Sequence, residues 1–410
     1  MSTSITFVIP TRNRAQLAMA AADGLLAEGR DDVRVVVSDN STDEAQVEQL
    51  ASFCRRRDDA RLGYLRSPPL AMAAHWDWAL QQTLEQSDST HISIHYDRKV
   101  PKPGRMRLLL DAMERYPDQV ITYSIDHITE DPPRYFVWQP PSTGELHRIE
   151  TARVVRMVTE GRIDEMGHSF PILSNCAVPR QDLCDIRERF GDICVSTSPD
   201  AAFTFRFCTL ADAYLHLDDS LGIAYATHRS SGAGHLRGTQ TDYADFRKTW
   251  GDKPWLDAVR LAGVDLGWNM LFHEYEVARR DVGDALPPLS KEGYLHGLAY
   301  GLRFVVDDAR RAELAALLEA EGWQPPPSGD ARPAPPQTLR RRLRASLDVR
   351  RGSLKRQIEL LRARASDVKP AHITGYSFRS ERRALFYAKR ISRRPVPDHE
   401  GLAWIHERGP

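Results

Sequence analysis

The N-terminal part of the chain repeats one pattern: a short apolar segment, a group of polar residues, and then a stretch with helical periodicity. The apolar segments are residues 6–10, 33–37, 62–66 and 92–95. Alternation of this kind is typical of a parallel sheet with helices on both faces. We therefore predict an α/β fold, in which the polar residues after each strand meet at the carboxyl edge of the sheet, where open α/β sheets bind their ligands.

Length, apolar content and cysteine usage exclude several classes of protein. At about 150 residues per domain, the 410-residue chain is expected to contain two or three domains. The N-terminus MSTSITFVIP lacks the basic start and apolar core of a signal peptide, and no run of about 18 apolar residues offers a membrane span. Five cysteines without CxxC spacing argue against a disulfide framework or a zinc site. We expect a cytosolic protein.

The C-terminal end of the chain differs in charge from the rest. Residues 331–410 contain 20 lysines and arginines but 7 aspartates and glutamates, whereas the whole chain is neutral. Residues 338–365 combine a leucine stripe with a basic face, and a proline-rich linker at 324–337 precedes them. Such a helix suits an anionic membrane surface or a partner helix. Nucleic acid is the weaker alternative, because no base-reading motif accompanies the charge.

Four sequence blocks resemble the family 2 glycosyltransferases of the GT-A fold. In order they are VIPTRNR, VVVSDNSTDE, LRSPPLAMAAHWDWAL and ISIHYDRKVPKPGRM, and the resemblance covers about the first 235 residues. It implies a Rossmann-like, mostly parallel sheet flanked by helices, and a nucleotide-diphospho-sugar donor. It also implies that Pro10, Thr11 and Arg12 lie beside the nucleotide and that Asp39 reads the base. At the end of the third strand, Arg66 is a further candidate contact of the base or ribose.

The fourth block departs from the family pattern at the metal site. Where the family carries an Asp-x-Asp signature that holds a divalent ion on the nucleotide diphosphate, this chain has His95, Tyr96 and Asp97. One interpretation is a transition-metal site on His95 and Asp97, with Mn²⁺ favoured over Mg²⁺ because imidazole suits the softer ion. A second has Arg98 and Lys99 neutralising the diphosphate directly. A third is a degraded, inactive site.

The second chemical site is the sequence Ser-Pro-Asp at residues 198–200. In the resembling family an acidic residue in this region deprotonates the acceptor hydroxyl, which makes Asp200 the candidate catalytic base. The alternative is structural, since Ser-Pro-Asp is also a common N-terminal cap of a helix. His228, after the next strand pattern, is a candidate ligand or phosphate contact, with a purely structural histidine as the alternative.

These features predict four segments: a GT-A domain at 1–236, a helical extension at 237–323, the linker at 324–337 and a basic helical tail at 338–410. We expect an inverting, hexosyltransferase-type enzyme that moves a sugar from a nucleotide-diphosphate donor to a hydroxyl acceptor. The acceptor would be a glycan or lipid-linked glycan of cell-envelope or extracellular polysaccharide or glycolipid synthesis, and the tail would hold the enzyme at the cytoplasmic face of a membrane. The alternative is a catalytically degraded relative that binds nucleotide sugars or acts as a scaffold.

Overall fold

The computed structural model describes residues 3–131, 134–140, 142–226, 256–305 and 307–324, together with the backbone of two short strands at 374–378 and 405–407. The predicted basic helix at 338–365, the predicted linker at 324–337 except its first residue, His228 and the boundary at 236 lie outside the described residues.

The first four strands alternate with three helices, as the repeated pattern predicts. They are β1 (Ile5–Thr11), α1 (Ala15–Leu26), β2 (Val33–Asp39), α2 (Glu44–Arg57), β3 (Leu62–Arg66), α3 (Met72–Gln86) and β4 (His91–Ile94). These strands pair in parallel in the order β4-β1-β2-β3. Their carboxyl ends therefore share one edge of the sheet.

The chain then extends the sheet on the β4 side. The elements that follow are β5 (Lys99–Pro101), α4 (Met106–Arg115), β6 (Ile121–Asp131), β7 (Arg134–Gln139), β8 (Leu146–Glu150), α5 (Thr151–Thr159), two 3-10 helices (Ile163–Ser169 and Leu173–Asn175), β9 (Cys176–Pro179), α6 (Arg180–Phe190), α7 (Pro199–Phe207) and β10 (Ala213–Ala226). The helical extension contains α8 (Gly267–Val282), a 3-10 helix (Gly283–Ala285), α9 (Lys291–Gly301), a 3-10 helix (Leu302–Phe304) and α10 (Asp308–Ala320). The last strands are β11 (Thr374–Phe378) and β12 (Ile405–Glu407).

Nine of the described strands form the main path of the sheet, in the order β12-β8-β10-β6-β9-β4-β1-β2-β3. The antiparallel pairings on this path are the two made by β9 and the pairing of β8 with β10, and the other pairings are parallel. The prediction of an α/β fold with a mostly parallel sheet flanked by helices is confirmed. Other pairings lie off this main path: β6 forms a hairpin with β7, and β5 pairs antiparallel with β10.

The short strand β5 differs from the sequence expectation. Pro101 and Pro103 predict that regular strand structure stops after the fourth apolar segment. Lys99–Pro101 nevertheless forms a strand, because it pairs with the end of β10, a partner more than a hundred residues away. The fifth predicted strand, at 119–124, also runs further than its apolar pattern, to Asp131.

The sheet carries one apolar core on each face, as alternation along a strand requires. On one face, α1 and α4 contribute buried residues such as Leu25 and Leu109. On the other face, Trp76 of α3 and Phe205 of α7 share a core with Phe272 of α8. The helical extension therefore shares one apolar core with α3 and α7.

One contact of the extension depends on glycine. A Cβ atom on Gly293 of α9 would lie 1.8 Å from the backbone oxygen of Thr159, and a Cβ on Gly161 would lie 2.0 Å from the oxygen of Gly293. Gly161 also has a φ of +69°, which side chains rarely adopt. Backbone therefore touches backbone where α9 meets the end of α5.

In the described part of the chain, no helix combines the length and the apolar character that crossing a membrane requires.

Candidate functional site

Three of the predicted nucleotide residues form one row across the edge of the sheet. Thr11 pairs with Asp39 in the register of β1 and β2, and Asp39 pairs with Arg66 in the register of β2 and β3. Each residue is the last of its strand. The structure thus brings Thr11, Asp39 and Arg66 together through backbone pairing alone.

The Asp39 carboxylate is fully buried and is held by two donors. Its Oδ1 accepts from the backbone N–H of Ser41 at 2.8 Å, and its Oδ2 accepts from the Tyr64 hydroxyl at 2.9 Å. Burial, with the Asp39 carboxylate as a smaller cause, raises the pKa of Tyr64, which keeps that hydroxyl protonated as a donor. Each carboxylate oxygen has a second lone pair, but Asp39 has no exposed surface, so a ligand N–H reaches it only after the covering side chains move.

The exposed Arg66 closes the far end of this row. Its guanidinium donates to the backbone oxygen of Asp39 at 3.0 Å and to that of Ser41 at 2.7 Å. Arg12 and Asn40 donate to the backbone oxygen of Leu70, at 3.2 and 2.8 Å. These bonds tie the loops after β1, β2 and β3 to one another, while Pro10 is buried within β1.

A buried histidine supports the row from below. His75 of α3 lies 2.9 Å through Nε2 from the Ser38 hydroxyl. Burial lowers the pKa of His75 to about 4, so the ring is neutral near neutral pH. His75 is a site-supporting residue that the sequence pattern did not single out, because on its own it is one more polar residue in an amphipathic helix.

Asp97 is neutralised by the protein itself. Its Oδ2 accepts from the Thr11 hydroxyl at 2.9 Å and pairs with Arg14 Nε at 2.8 Å, and the residue is buried. Arg14 belongs to the first sequence block, yet nothing in that block identifies Asp97 as its partner. Through Thr11, this carboxylate adjoins the nucleotide row.

His95 is held by groups other than Asp97. Its Nε2 lies 2.9 Å from the backbone oxygen of Lys99, which requires Nε2 to donate, and its ring packs edge-on against Phe7 at 5.7 Å. Burial, with the nearby Lys99 charge, lowers the pKa of His95 well below its ordinary value, so the ring is neutral. Among the described residues there is no group of three or more metal-ligating side chains.

The predicted metal pair therefore does not fit this geometry. His95 Nε2 is committed to a carbonyl and Asp97 Oδ2 to Thr11 and Arg14, and no described contact joins the two residues. The expected preference for Mn²⁺ over Mg²⁺ relied on an imidazole ligand, so it loses its basis as well.

The structure does not bring Arg98 and Lys99 together as a clamp. Arg98 is half-buried, lies over the Tyr96 ring at 4.8 Å and donates to the backbone oxygen of Tyr225 at 2.8 Å. Lys99 is fully buried, and its Nζ donates to the backbone oxygen of Ser174 at 2.8 Å. Burial lowers the pKa of Lys99 to about 7. The position of Lys99 beneath the site explains why its charge cannot face a diphosphate in the arrangement predicted.

Asp200 is bound to the fourth sequence block. Its Oδ2 accepts from the Tyr96 hydroxyl, and its Oδ1 accepts from the backbone N–H of Ser174 at 3.0 Å. The Ser174 hydroxyl donates to the Tyr96 oxygen at 2.7 Å. Ser198 is the N-cap of α7 but makes no side-chain cap bond, so the Ser-Pro-Asp sequence does not act as a simple side-chain cap.

This arrangement gives Asp200 the properties of a proton acceptor. Burial raises its pKa from the ordinary aspartate value, while the bonds from Tyr96 and Ser174 act in the opposite direction. The residue keeps partial solvent exposure. Tyr96 and Ser174 were both missed by sequence reasoning, since a tyrosine and a serine carry no signal for contact with an aspartate so distant in the chain.

No protein-family model matches the chain, and no curated protein matches it in sequence. Among solved structures, the chain is similar to residues 1–349 of S. aureus TarS in complex with UDP-GlcNAc, at 13% identity and a TM-score of 0.41, covering 78% of this chain and 88% of that one. It is also similar to the mannosyltransferase PcManGT from Pyrobaculum calidifontis in complex with GDP-Man and Mn²⁺, at 16% identity and a TM-score of 0.42, covering 79% and 77%. With TM-scores below 0.5, these likenesses carry no argument about family or reaction.

Proposed function

We propose that the chain is a GT-A glycosyltransferase that moves a sugar from a nucleotide-diphosphate donor to a hydroxyl acceptor with inversion. The observation that carries the proposal is the meeting of the four resembling blocks at one sheet edge. Thr11 joins the row of Asp39 and Arg66 to Asp97 through a hydrogen bond of 2.9 Å, and Tyr96 then joins that segment to Asp200. A binding row and a candidate base are thus connected by direct contacts.

On the donor side, the nucleoside would lie against Thr11, Asp39 and Arg66. The carboxylate oxygens of Asp39 suit the N–H groups of a base once the side chains that cover Asp39 move aside, and the exposed Arg66 suits the ribose or base edge. Arg12 holds the loop after β3 in place for that contact. Strand register fixes the backbone of the row in advance, whereas access to the Asp39 carboxylate requires the covering side chains to move.

The departing diphosphate requires positive charge. Arg14, paired with Asp97, and Arg98, half-buried over Tyr96, are two cationic side chains at this end of the row. We assign them the role predicted for Arg98 and Lys99, since Lys99 lies underneath. Fixed charges at the position where negative charge develops supply much of the rate enhancement in many enzymes.

A divalent ion would face a specific obstacle. Asp97 would be its carboxylate ligand from this segment, and Oδ2 of that carboxylate is already paired with Arg14. Arg14 and Arg98 are therefore the side chains that we propose to neutralise the diphosphate. Titration with divalent ions tests whether a metal is also required.

On the acceptor side, Asp200 would take the proton of the attacking hydroxyl. General-base catalysis contributes about 10²–10⁴ in rate and works best when the base has a pKa near the operating pH. The raised pKa of Asp200 moves the group in that direction. Attack from the side opposite the leaving diphosphate then gives inversion at the sugar carbon.

A second candidate function has its own supporting observation. The Arg14–Asp97 pair and the inward-facing His95 leave the fourth block without the acidic pair of the family pattern. A chain with an intact nucleotide row and such a block would bind nucleotide sugars as a non-catalytic or scaffold protein.

A donor screen separates the two candidates. Purified full-length protein is incubated with UDP-, GDP- and TDP-sugars, and release of nucleoside diphosphate is measured with EDTA, with Mg²⁺ and with Mn²⁺. An enzyme releases the diphosphate from one donor well above the buffer rate, whereas a binding protein shows calorimetric affinity without release. Release that is lost in EDTA and restored by Mn²⁺ would overturn the arginine assignment and not the enzyme assignment.

The acceptor and the location are also proposals. The basic segment at 338–365 suits an anionic membrane surface, where each basic residue contributes about 1 kcal/mol. A lipid-linked glycan of cell-envelope or extracellular polysaccharide synthesis would suit an enzyme held there, at the cytoplasmic face. Sedimentation of the full chain with anionic vesicles at low salt tests this, and no sedimentation would contradict it.

A further inference from the structure

A buried carboxylate of the helical extension reaches the start of α7, the helix that carries Asp200. Glu274 lies on α8 and is 1% exposed. Its Oε1 accepts from the Thr197 hydroxyl and from the backbone N–H of Ser198 at 2.7 Å. Ser196 adds a further side-chain hydrogen bond to the same carboxyl group. Three consecutive residues before α7 are thus fixed by one side chain from another part of the chain.

The contact supplies what the N-terminus of α7 otherwise lacks. Ser198 is the N-cap, but its own side chain makes no cap bond. Helix N-termini carry unpaired N–H groups and a partial positive charge, both of which a carboxylate satisfies. Burying a carboxylate is costly without such partners, and burial raises the pKa of Glu274 to about 7. We therefore attribute the buried position of Glu274 to the residues that it binds before α7.

Ser198, which Glu274 binds, lies two residues before the candidate base Asp200. Asp200 sits in the first turn of α7, and its carboxylate must meet Tyr96 and Ser174, which belong to other elements. Two contacts with α8 fix the position of that first turn. One is Glu274, and the other, about one turn further along α7, is the edge-on packing of the Phe205 ring against the Tyr275 ring, whose centroids are 5.2 Å apart.

We infer that Glu274 is a positioning residue for the reaction, and that the helical extension completes the active site by fixing the turn that presents Asp200. The inference depends on the proposed role of Asp200 as the base. It gives the extension a task in the chemistry in addition to its share of the apolar core. Small displacements of a catalytic group are costly, since a misplacement of about 1 Å reduces rates by about 100-fold.

The test compares Glu274→Ala with Glu274→Gln in the full-length protein. Glutamine keeps an oxygen at the Oε1 position, so it can accept from both Thr197 and Ser198, whereas alanine leaves both donors unpaired. We expect alanine to lower kcat about 10- to 100-fold with donor Kd changed less than twofold, and glutamine to restore kcat to within about threefold of wild type. The matched control is Glu276→Ala, on the same helix, whose carboxylate instead accepts from Arg279 and Leu289; its kcat should stay at the wild-type value.

A double-mutant cycle separates this inference from the proposed function. If Glu274 acts through Asp200, then Glu274→Ala lowers kcat in the wild-type background and adds nothing in an Asp200→Asn background. An equal loss in both backgrounds, or a loss of kcat that the glutamine variant shares with alanine, would overturn the positioning role. Should Asp200→Asn itself leave kcat unchanged, the proposed base fails. Should Asp200→Asn lower kcat while Glu274→Ala does not, only the positioning role fails. Circular dichroism and thermal unfolding show whether the alanine variant is folded. If it is not, Glu274→Asp, which shortens the side chain that carries the carboxylate, is the second test, with the same expected loss of kcat.

Discussion

The two halves of the sheet edge differ in how their side chains are held. At β1, β2 and β3, the residues Thr11, Asp39 and Arg66 are aligned by backbone pairing, so their neighbours follow from strand register. At the end of β4, the side chains turn to partners from distant parts of the chain, as Tyr96 does with Asp200. The first half is a product of local pattern, whereas the second is assembled by tertiary packing.

This difference explains which sequence predictions the structure supports. The strand Leu62–Arg66 has the bounds that its apolar pattern predicts, and the polar ends of β1 to β4 meet at one edge as alternation requires. The chemistry predicted for His95 and Lys99 is not supported by their geometry, because both side chains are drawn into the interior by backbone carbonyls. Burial direction cannot be read from a single polar residue after a strand.

Other regions were hidden for related reasons. Residues 140–164 carry no clear periodicity, yet they contain all of β8 and α5, because pairing of β8 with β10 overrides weak local preference. The glycine contact between α9 and α5 depends on two segments meeting, which a single sequence does not reveal.

Among substitutions at the ends of β1, β2 and β3, we expect Asp39→Ala to have the largest effect on ligand binding. Asp39→Ala removes the acceptor proposed for the base and leaves the Tyr64 hydroxyl without its partner. Hydrogen bonds to charged groups contribute about 1.5–3 kcal/mol, so nucleoside diphosphate affinity should fall about 10- to 100-fold. Isothermal titration calorimetry measures this, and Asp43→Ala, on the exposed start of α2, is the control. Unchanged affinity in Asp39→Ala would remove the row from the binding site.

The packed half predicts a different outcome at Lys99. Lys99→Met should lower kcat about tenfold, because the ammonium no longer holds the backbone of Ser174, which binds Asp200. Donor affinity should change less than twofold, since Lys99 lies beneath the site. Steady-state kinetics with donor calorimetry tests this. A large loss of donor affinity with kcat preserved would restore the diphosphate clamp and contradict the geometry.

A smaller effect is expected at Tyr96, where the two halves meet. The Tyr96 hydroxyl bond lowers the pKa of Asp200, against the larger effect of burial. Tyr96→Phe should therefore raise the pKa of Asp200 and move the acid limb of the rate profile to higher pH, with a loss of kcat of a few-fold. A kcat-against-pH profile measures the shift, and a shift to lower pH would contradict the assigned bond.

The smallest effect is on stability, at Glu274. The folded-state pKa of about 7 lies above the ordinary value of 4.5, so the folded protein binds more protons than the unfolded chain between these pH values. The stability that Glu274 contributes is complete below about pH 4.5 and is lost as pH rises through about 7. Glu274→Gln should remove this slope, a difference of about 1–3 kcal/mol across the window. Urea unfolding of both proteins at several pH values measures it, and parallel curves would show that Glu274 does not titrate as described.

In the proposed mechanism, Asp200 acts on the acceptor while the row of Thr11, Asp39 and Arg66 binds the donor. The most direct test of this mechanism is Asp200→Asn, with kcat for transfer and donor Kd measured on the same preparation. We expect kcat to fall by about 100-fold or more while donor Kd stays within twofold of wild type. Equal losses of donor affinity and kcat, or an unchanged kcat, would contradict the mechanism.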